Sequence, residues 1–453
     1  MNRPCVLGFL RTVLFAFCLA TAEAQVRDLG GELVPERTAS GGLIVITAGQ
    51  LVDPKTGVTQ SDQKIVIEDG IILEVGEDVA IPSGATLLDL SDLTVLPGLI
   101  DSHTHLAGAY NFPASNLKEY NVDVSTAERA IQGLLNAQSM LATGFTTVRD
   151  LGNAGHFADA ALGLFLNGEI QDPAPNIGRL QDFAEVNPGR ITGVLGPTFL
   201  YSGKIISVFG GQFRVSPDAP DIGLLDYYYA DSRDELRKAI RENLYHGATW
   251  IKLVIDDYRY MWSVEDIQFI VEESRQAGVK VAAHAVTEEG ARLAIEGGVA
   301  SIEHGYEMTD ELLERAKAQG IVLVGCDLAD VMAQGYRGAI YEKALDRLER
   351  AHRIGVEMAY GSDILMNRAG LTRGQISIDP IETWVKAGIP HADTLRAMIT
   401  NGARLLGVED QRGSIRPGMA ADIIATPENP LDDIMTLKQV SFVMKDGVVF
   451  RHD

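Results

Sequence analysis

The stretch "LPGLIDSHTHL", residues 96–106, carries the reading of the fold and of the chemistry together. It opens with an apolar run, Leu96 to Ile100, that reads as a buried strand, and it closes on His103 and His105. Residues i and i+2 of a strand share a face, so both imidazoles project the same way and can grip one object. A metal ion is the natural candidate, although the pair alone does not establish it.

Seven more runs of this kind follow: "GFTTVRD", "ITGVLGPTFL", "ATWIKLVI", "KVAAHAV", "ASIEHG", "IVLVGCDL" and "EMAYGSDIL". Helical stretches separate them, which argues for a parallel α/β arrangement. Three of those helices open on capping-box patterns, Ser125 to Glu128, Ser232 to Glu235 and Ser263 to Asp266. Eight strands over roughly 300 residues fit a (β/α)8 TIM barrel with insertions. An open doubly wound sheet would place a Gly-rich phosphate turn after its first strand, and this chain has none there.

Outside this region the pattern changes. Short apolar runs "GLIVITAGQLVD", "KIVIED" and "IILEVG" precede it, with Asp69-Gly70 as a hairpin signal. "ADIIAT" and "VSFVMKDGVVF", with Asp446-Gly447, follow it in the same style. Both ends together predict a small composite β-sandwich domain. The expected plan is residues 25–95 and 405–453 for that domain and 96–404 for the barrel.

Residues 1–24 differ from everything else. Arg3 and Arg11 precede an apolar core, which Ala22-Glu23-Ala24 follows, the pattern of a secretory signal peptide cut after Ala24. The apolar run is short for a membrane span, so a periplasmic or secreted protein is expected. Cleavage would remove Cys5 and Cys18, leaving Cys326 alone and no intrachain disulfide. Within "IVLVGCDL", Cys326 reads as a small buried apolar residue. The chain has 46% hydrophobic and 22% charged residues and a net charge of -23. Such an acidic chain is a poor match for nucleic acid, which needs a basic face. Neither a membrane span nor a nucleic-acid partner is expected; a small-molecule substrate is.

The chemistry collects where strands finish, which in a (β/α) barrel is the functional mouth. His103 and His105 end the first strand, and Lys252 lies in the fourth, His284 in the fifth, His304 in the sixth and Asp363 in the eighth. Taken singly, His284 or His304 reads as a core histidine and Asp363 as a helix cap. Lys252 is the odd one, because a lysine inside an apolar strand is costly to bury as a cation. A neutral lysine can take up carbon dioxide to give a carbamate, an anionic ligand able to bridge two cations. Together the six positions point to a binuclear metal site.

The HxH after "LPGLIDSH", the strand-four lysine, the two single histidines and "GSD" resemble the amidohydrolase superfamily of the binuclear, carboxylated-lysine type. "TTVRDLG", "GATWIKL", "SIEHG" and "GSIRPGMAADIIA" resemble, more narrowly, its imidazolonepropionase-like, Xaa-Pro dipeptidase-like group. That group includes dipeptidases, carboxypeptidases and ochratoxinase-like amidases. The resemblance runs from about residue 42 to the end. It implies His103, His105 and Asp363 on the more buried metal, His284 and His304 on the other, and carboxylated Lys252 between them. Two divalent ions are implied, with zinc the best match to imidazole and carboxylate and manganese or cobalt as substitutes. A shared hydroxide would attack the carbonyl, with Asp363 as general base and then acid.

The expected activity is hydrolysis of an amide bond in a dipeptide or N-acyl amino acid. A lactone or ester hydrolase with the same site is the alternative, with a mononuclear deaminase behind it. Deaminases of this superfamily usually carry a glutamate three residues after the strand-five histidine, where this chain has Thr287. Relatives often carry Gly-Gly-His after strand three, and here "SVFGGQF" puts Gln212 in that place. An amide still donates a hydrogen bond but does not titrate near neutrality. Gln212, Tyr258 and Tyr260 are candidate substrate contacts. Arg149 is another, for a substrate carboxylate, or else a structural partner for a neighbouring acid. The resemblance also makes a homo-oligomer plausible.

Overall fold

In the computed structural model the described residues are 42–111, 117–167, 195–212, 218–327 and 338–453. The signal peptide read at residues 1–24 and the start of the third strand candidate lie outside them.

All eight expected barrel strands are present. Leu99–Thr104, Phe145–Asp150 and Thr198–Tyr201 form one parallel sheet. Trp250–Val254, Lys280–Ala285, Ser301–His304, Val322–Val324 and Met358–Ala359 run consecutively in a second. That second sheet also takes in two short strands from the third connection, Ile205–Ser207 and Tyr227–Tyr229. Backbone hydrogen bonds join the two arcs at both seams. Thr249 donates its N–H to the Tyr201 carbonyl at 2.9 Å, and Ser102 donates to Tyr360 at 2.8 Å. The ring therefore closes, as a (β/α)8 barrel does.

Helices pack outside the ring and bury their apolar stripes against it. The helix Thr126–Ala142 starts at Ser125, whose hydroxyl accepts from Glu128 N–H while the Glu128 carboxylate reaches back to the cap. Arg233–Tyr245 is capped the same way by Ser232 and Glu235. At Ser263 only half of the device forms. The Asp266 N–H donates to the serine, but the Asp266 carboxylate turns to Arg233 and the Ser263 hydroxyl instead. Aspartate is one methylene shorter than the glutamate of a full capping box.

The two chain ends build the second domain together. Its seven-stranded sheet places Thr86–Pro97 between Leu43–Asp53 on one side and Ile423–Thr426 on the other. Ile46, Ile65, Val95, Ile423 and Phe442 form its core. Both turns read from the sequence hold positive φ at both positions, 51° and 80° at Asp69-Gly70 and 49° and 78° at Asp446-Gly447. That is the requirement of a tight two-residue hairpin. The two turns also touch: a Cβ on Gly70 would stand 2.5 Å from the Asp446 carbonyl oxygen. The sheet thus curls until its ends meet.

Gly70→Ala combines a left-handed backbone with that clash, and is expected to cost about 1–3 kcal/mol. Denaturant unfolding checks it, and an unchanged midpoint would show that the turns are free to separate. Asp159, on the helix Ala158–Asn167, offers a second check. Burial, with Asp150 nearby, pushes its carboxyl up to about 7 from an ordinary 3.8. Its contribution is intact while the unfolded group is also protonated and is lost as pH rises through about 7. The Tm difference between Asp159→Asn and the parent should therefore move in the variant's favour from pH 5 to pH 8. A constant difference would contradict a raised pKa.

Candidate metal centre

His103 and His105 are set by the end of the first barrel strand, and both side chains are buried. His103 donates Nδ1–H to the Glu303 carboxylate at 2.7 Å. The Nδ1–H of His105 goes to the Gly152 carbonyl at 2.9 Å. Each ring is thereby left with its Nε2 lone pair facing Asp363. The Asp363 Oδ1 lies 3.0 Å from His105 Nε2 and 3.5 Å from His103 Nε2. Three electron-rich atoms around one point need a cation there, and imidazole with carboxylate is a zinc-type donor set. The residues present therefore fit a divalent ion.

The other two histidines complete the cluster. His304 and His284 meet edge to face with centroids 4.4 Å apart, and His304 lies 5.7 Å from His103. Lys252 is buried in the fourth strand, close enough to feel the charges of Glu303 and Asp363. Burial lowers its pKa, against the pull of those two carboxylates. Asp363 behaves oppositely. Burial favours its neutral form, but the surrounding His103, His105 and His304 hold it well below the ordinary carboxylate range. Burial, with His284 beside it, drives His304 well below its ordinary value.

Three of the strand-end residues hold left-handed backbone, His304 at φ 73°, Cys326 at 53° and Asp363 at 54°. Each such residue costs about 1–3 kcal/mol. The twist breaks the strict in-out alternation of a strand as the chain leaves the ring. At strand six it lets Glu303 and His304, adjacent in sequence, both serve the same centre.

A model of the amidohydrolase family matches residues 94–450. The chain belongs to the amidohydrolase family. An ochratoxinase from Aspergillus niger is 28% identical to this amidohydrolase over 96% of this chain and 92% of its own. A solved Xaa-Pro dipeptidase with methionine in its active site matches with a TM-score of 0.74 and 26% identity, covering 90% of this chain and 100% of that one. The A. niger ochratoxinase structure reaches a TM-score of 0.74 over 91% of this chain and 96% of its own. At 23% identity that last likeness speaks for the fold, a TIM barrel with an attached sheet domain.

Not every sequence-predicted contact of this amidohydrolase faces the mouth. Arg149 is corrected: it is fully buried, paired with Glu303 at 3.0 Å and bonded to the Ser102 carbonyl at 2.6 Å. It sits beneath the histidines, where a substrate carboxylate has no access. Tyr258 and Tyr260 do lie exposed on the loop after strand four, with rings 6.3 Å apart. Trp262 of the same loop is buried and donates to the Ala230 carbonyl, so it packs the rim. Thr287 caps the helix Glu288–Gly297 and donates its hydroxyl to Asp256.

Sequence reasoning missed Glu303 and Cys326. Cys326 is buried as expected, but its Sγ stands 3.0 Å from His103 Nδ1, inside the cluster. Glu303 is buried between Arg149 and His103. Burial opposes its charge, yet the Arg149 guanidinium and the hydrogen bond from His103 hold it well below the ordinary carboxylate range. The cost argument that singled out Lys252 applies equally to a glutamate inside "ASIEHG", and was the available signal.

Glu303→Gln should weaken metal uptake about 10–100-fold by loosening His103. Stranding Arg149 should also cost about 3–5 kcal/mol of stability. Zinc titration and denaturant unfolding read the two effects separately. Parent values in both would reduce Glu303 to a filler of space.

Proposed function

We propose that this chain is an exported, metal-dependent hydrolase that cleaves the amide bond of a dipeptide or an N-acyl amino acid. One observation carries the reading: four histidines, Lys252 and Asp363, drawn from five different strands, converge at the mouth of the ring. The likeness to a protein named ochratoxinase and to a Xaa-Pro dipeptidase supports the amide as the bond attacked. Export rests on the signal-peptide pattern of residues 1–24.

His103, His105 and Asp363 would hold one ion and His284 and His304 the other, with Lys252 as a carbamate between them. Burial favours the neutral lysine amine, the form that adds carbon dioxide. When bound, zinc-type ions polarise a carbonyl and make a nucleophile available at neutral pH. The chain supplies proton handling. Asp363 is ionised and is the most exposed member of its triad, with 21% of its side chain open. Its carboxylate can take a proton from the attacking water and pass it to the leaving amine. Glu303 and the Gly152 carbonyl fix the tautomers of His103 and His105, so that each ring presents Nε2 to the ion it would hold.

Elemental analysis of the purified protein should give about two metals per chain. Lys252→Ala should lose most metal and most activity. A single metal unaffected by the substitution would place the protein among mononuclear relatives. Matched panels of amides, lactones and nucleobases then test the bond: turnover confined to lactones would transfer the same site to ester chemistry.

A further inference from the structure

Asp257 stands on the loop after strand four, and the proton path through Asp363 gives it no task. Its backbone is left-handed, φ 73°, which turns its carboxylate back toward the ring. Asp257 Oδ2 lies 2.7 Å from His284 Nε2 and 2.8 Å from Gln212 Nε2. The neighbouring Asp256 accepts Val286 N–H, Thr287 N–H and the Thr287 hydroxyl, and its Oδ1 stands 3.6 Å from His284 Nε2. Asp256 thus pins the loop to the next helix, and Asp257 makes the direct hydrogen bond to His284.

We infer that Asp257 is a positioning residue that orients His284 for the second ion. This rests on the two-metal reading above. By accepting Nε2–H, Asp257 leaves the His284 lone pair on Nδ1 and fixes the plane of the ring against His304. It does for His284 what Glu303 does for His103. A carboxylate partner also makes the imidazole a stronger donor to a cation.

The same geometry accounts for Gln212, expected as a substrate contact. Its amide nitrogen donates to Asp257 and lies 3.3 Å from both ring nitrogens of His284, while its oxygen takes the Tyr227 hydroxyl at 3.4 Å. The side chain is engaged at both ends within the protein. A glutamine there donates to Asp257 with no change of charge, whereas a histidine would change its charge as it titrates near neutrality.

Zinc titration with elemental analysis is the test, run on the full parent chain, Asp257→Ala and Asp257→Asn, each checked for folding by thermal unfolding. The parent should take up two ions. Asp257→Ala should bind one ion with parent affinity and the other about 10–100-fold more weakly. The Asn variant, alike in shape, should fall between them because it keeps an acceptor without the charge. Uptake of both ions with parent affinity by the two variants overturns the positioning role alone. A parent that binds fewer than two ions overturns the two-metal reading as well.

Discussion

The carboxyl of Asp101 accepts the backbone N–H of His103 and that of Ser362, while Ser102 donates to Tyr360 and Asp363 donates its own N–H to the His103 carbonyl. These bonds stitch the last barrel strand to the first across the whole length of the domain. Without them Asp363 would have no fixed place beside His103 and His105. A buried carboxyl doing this work is itself perturbed, burial driving Asp101 up to about 7. The seam is therefore costly, and the site depends on it.

Beneath the histidines the charges are arranged so that none is left alone. Arg149 spans from the Ser102 carbonyl to Glu303 and stacks on Trp250 with its guanidinium 4.3 Å from the ring centre. Glu303 then passes its negative charge on to His103. Removing either member of a buried pair costs far more than the pair contributes, because the survivor keeps its desolvation penalty. The floor of the barrel thus acts as one unit with the ligands above it.

Much of this was legible in the chain. The ring strands announce themselves as apolar runs that end in a polar ligand, and Lys252 stands out because no apolar strand tolerates an unexplained lysine. Glu303 stayed hidden for a geometric reason. Neighbours on a strand point to opposite faces, so a ligand at His304 implies by strand geometry that Glu303 turns to the helix side. Left-handed backbone at His304 breaks that rule, and no spacing argument anticipates it. Asp257 was hidden differently, as one acid in the polar run "DDYRY", where a solvated loop is the ordinary reading. Arg149 could be read either as a substrate contact or as a structural partner, and only its burial separates the two.

The sheet domain has a consequence for how the chain is made. Thr86–Pro97 pairs on one edge with Leu43–Asp53, but its other edge is covered only by Ile423–Thr426. During synthesis that edge waits, unpaired, until more than 300 further residues have been added. An open strand edge is a template for pairing with other chains. The completed barrel must therefore deliver the C-terminal strands to their place before a neighbouring molecule does, which ties the yield of folded protein to the speed of barrel closure.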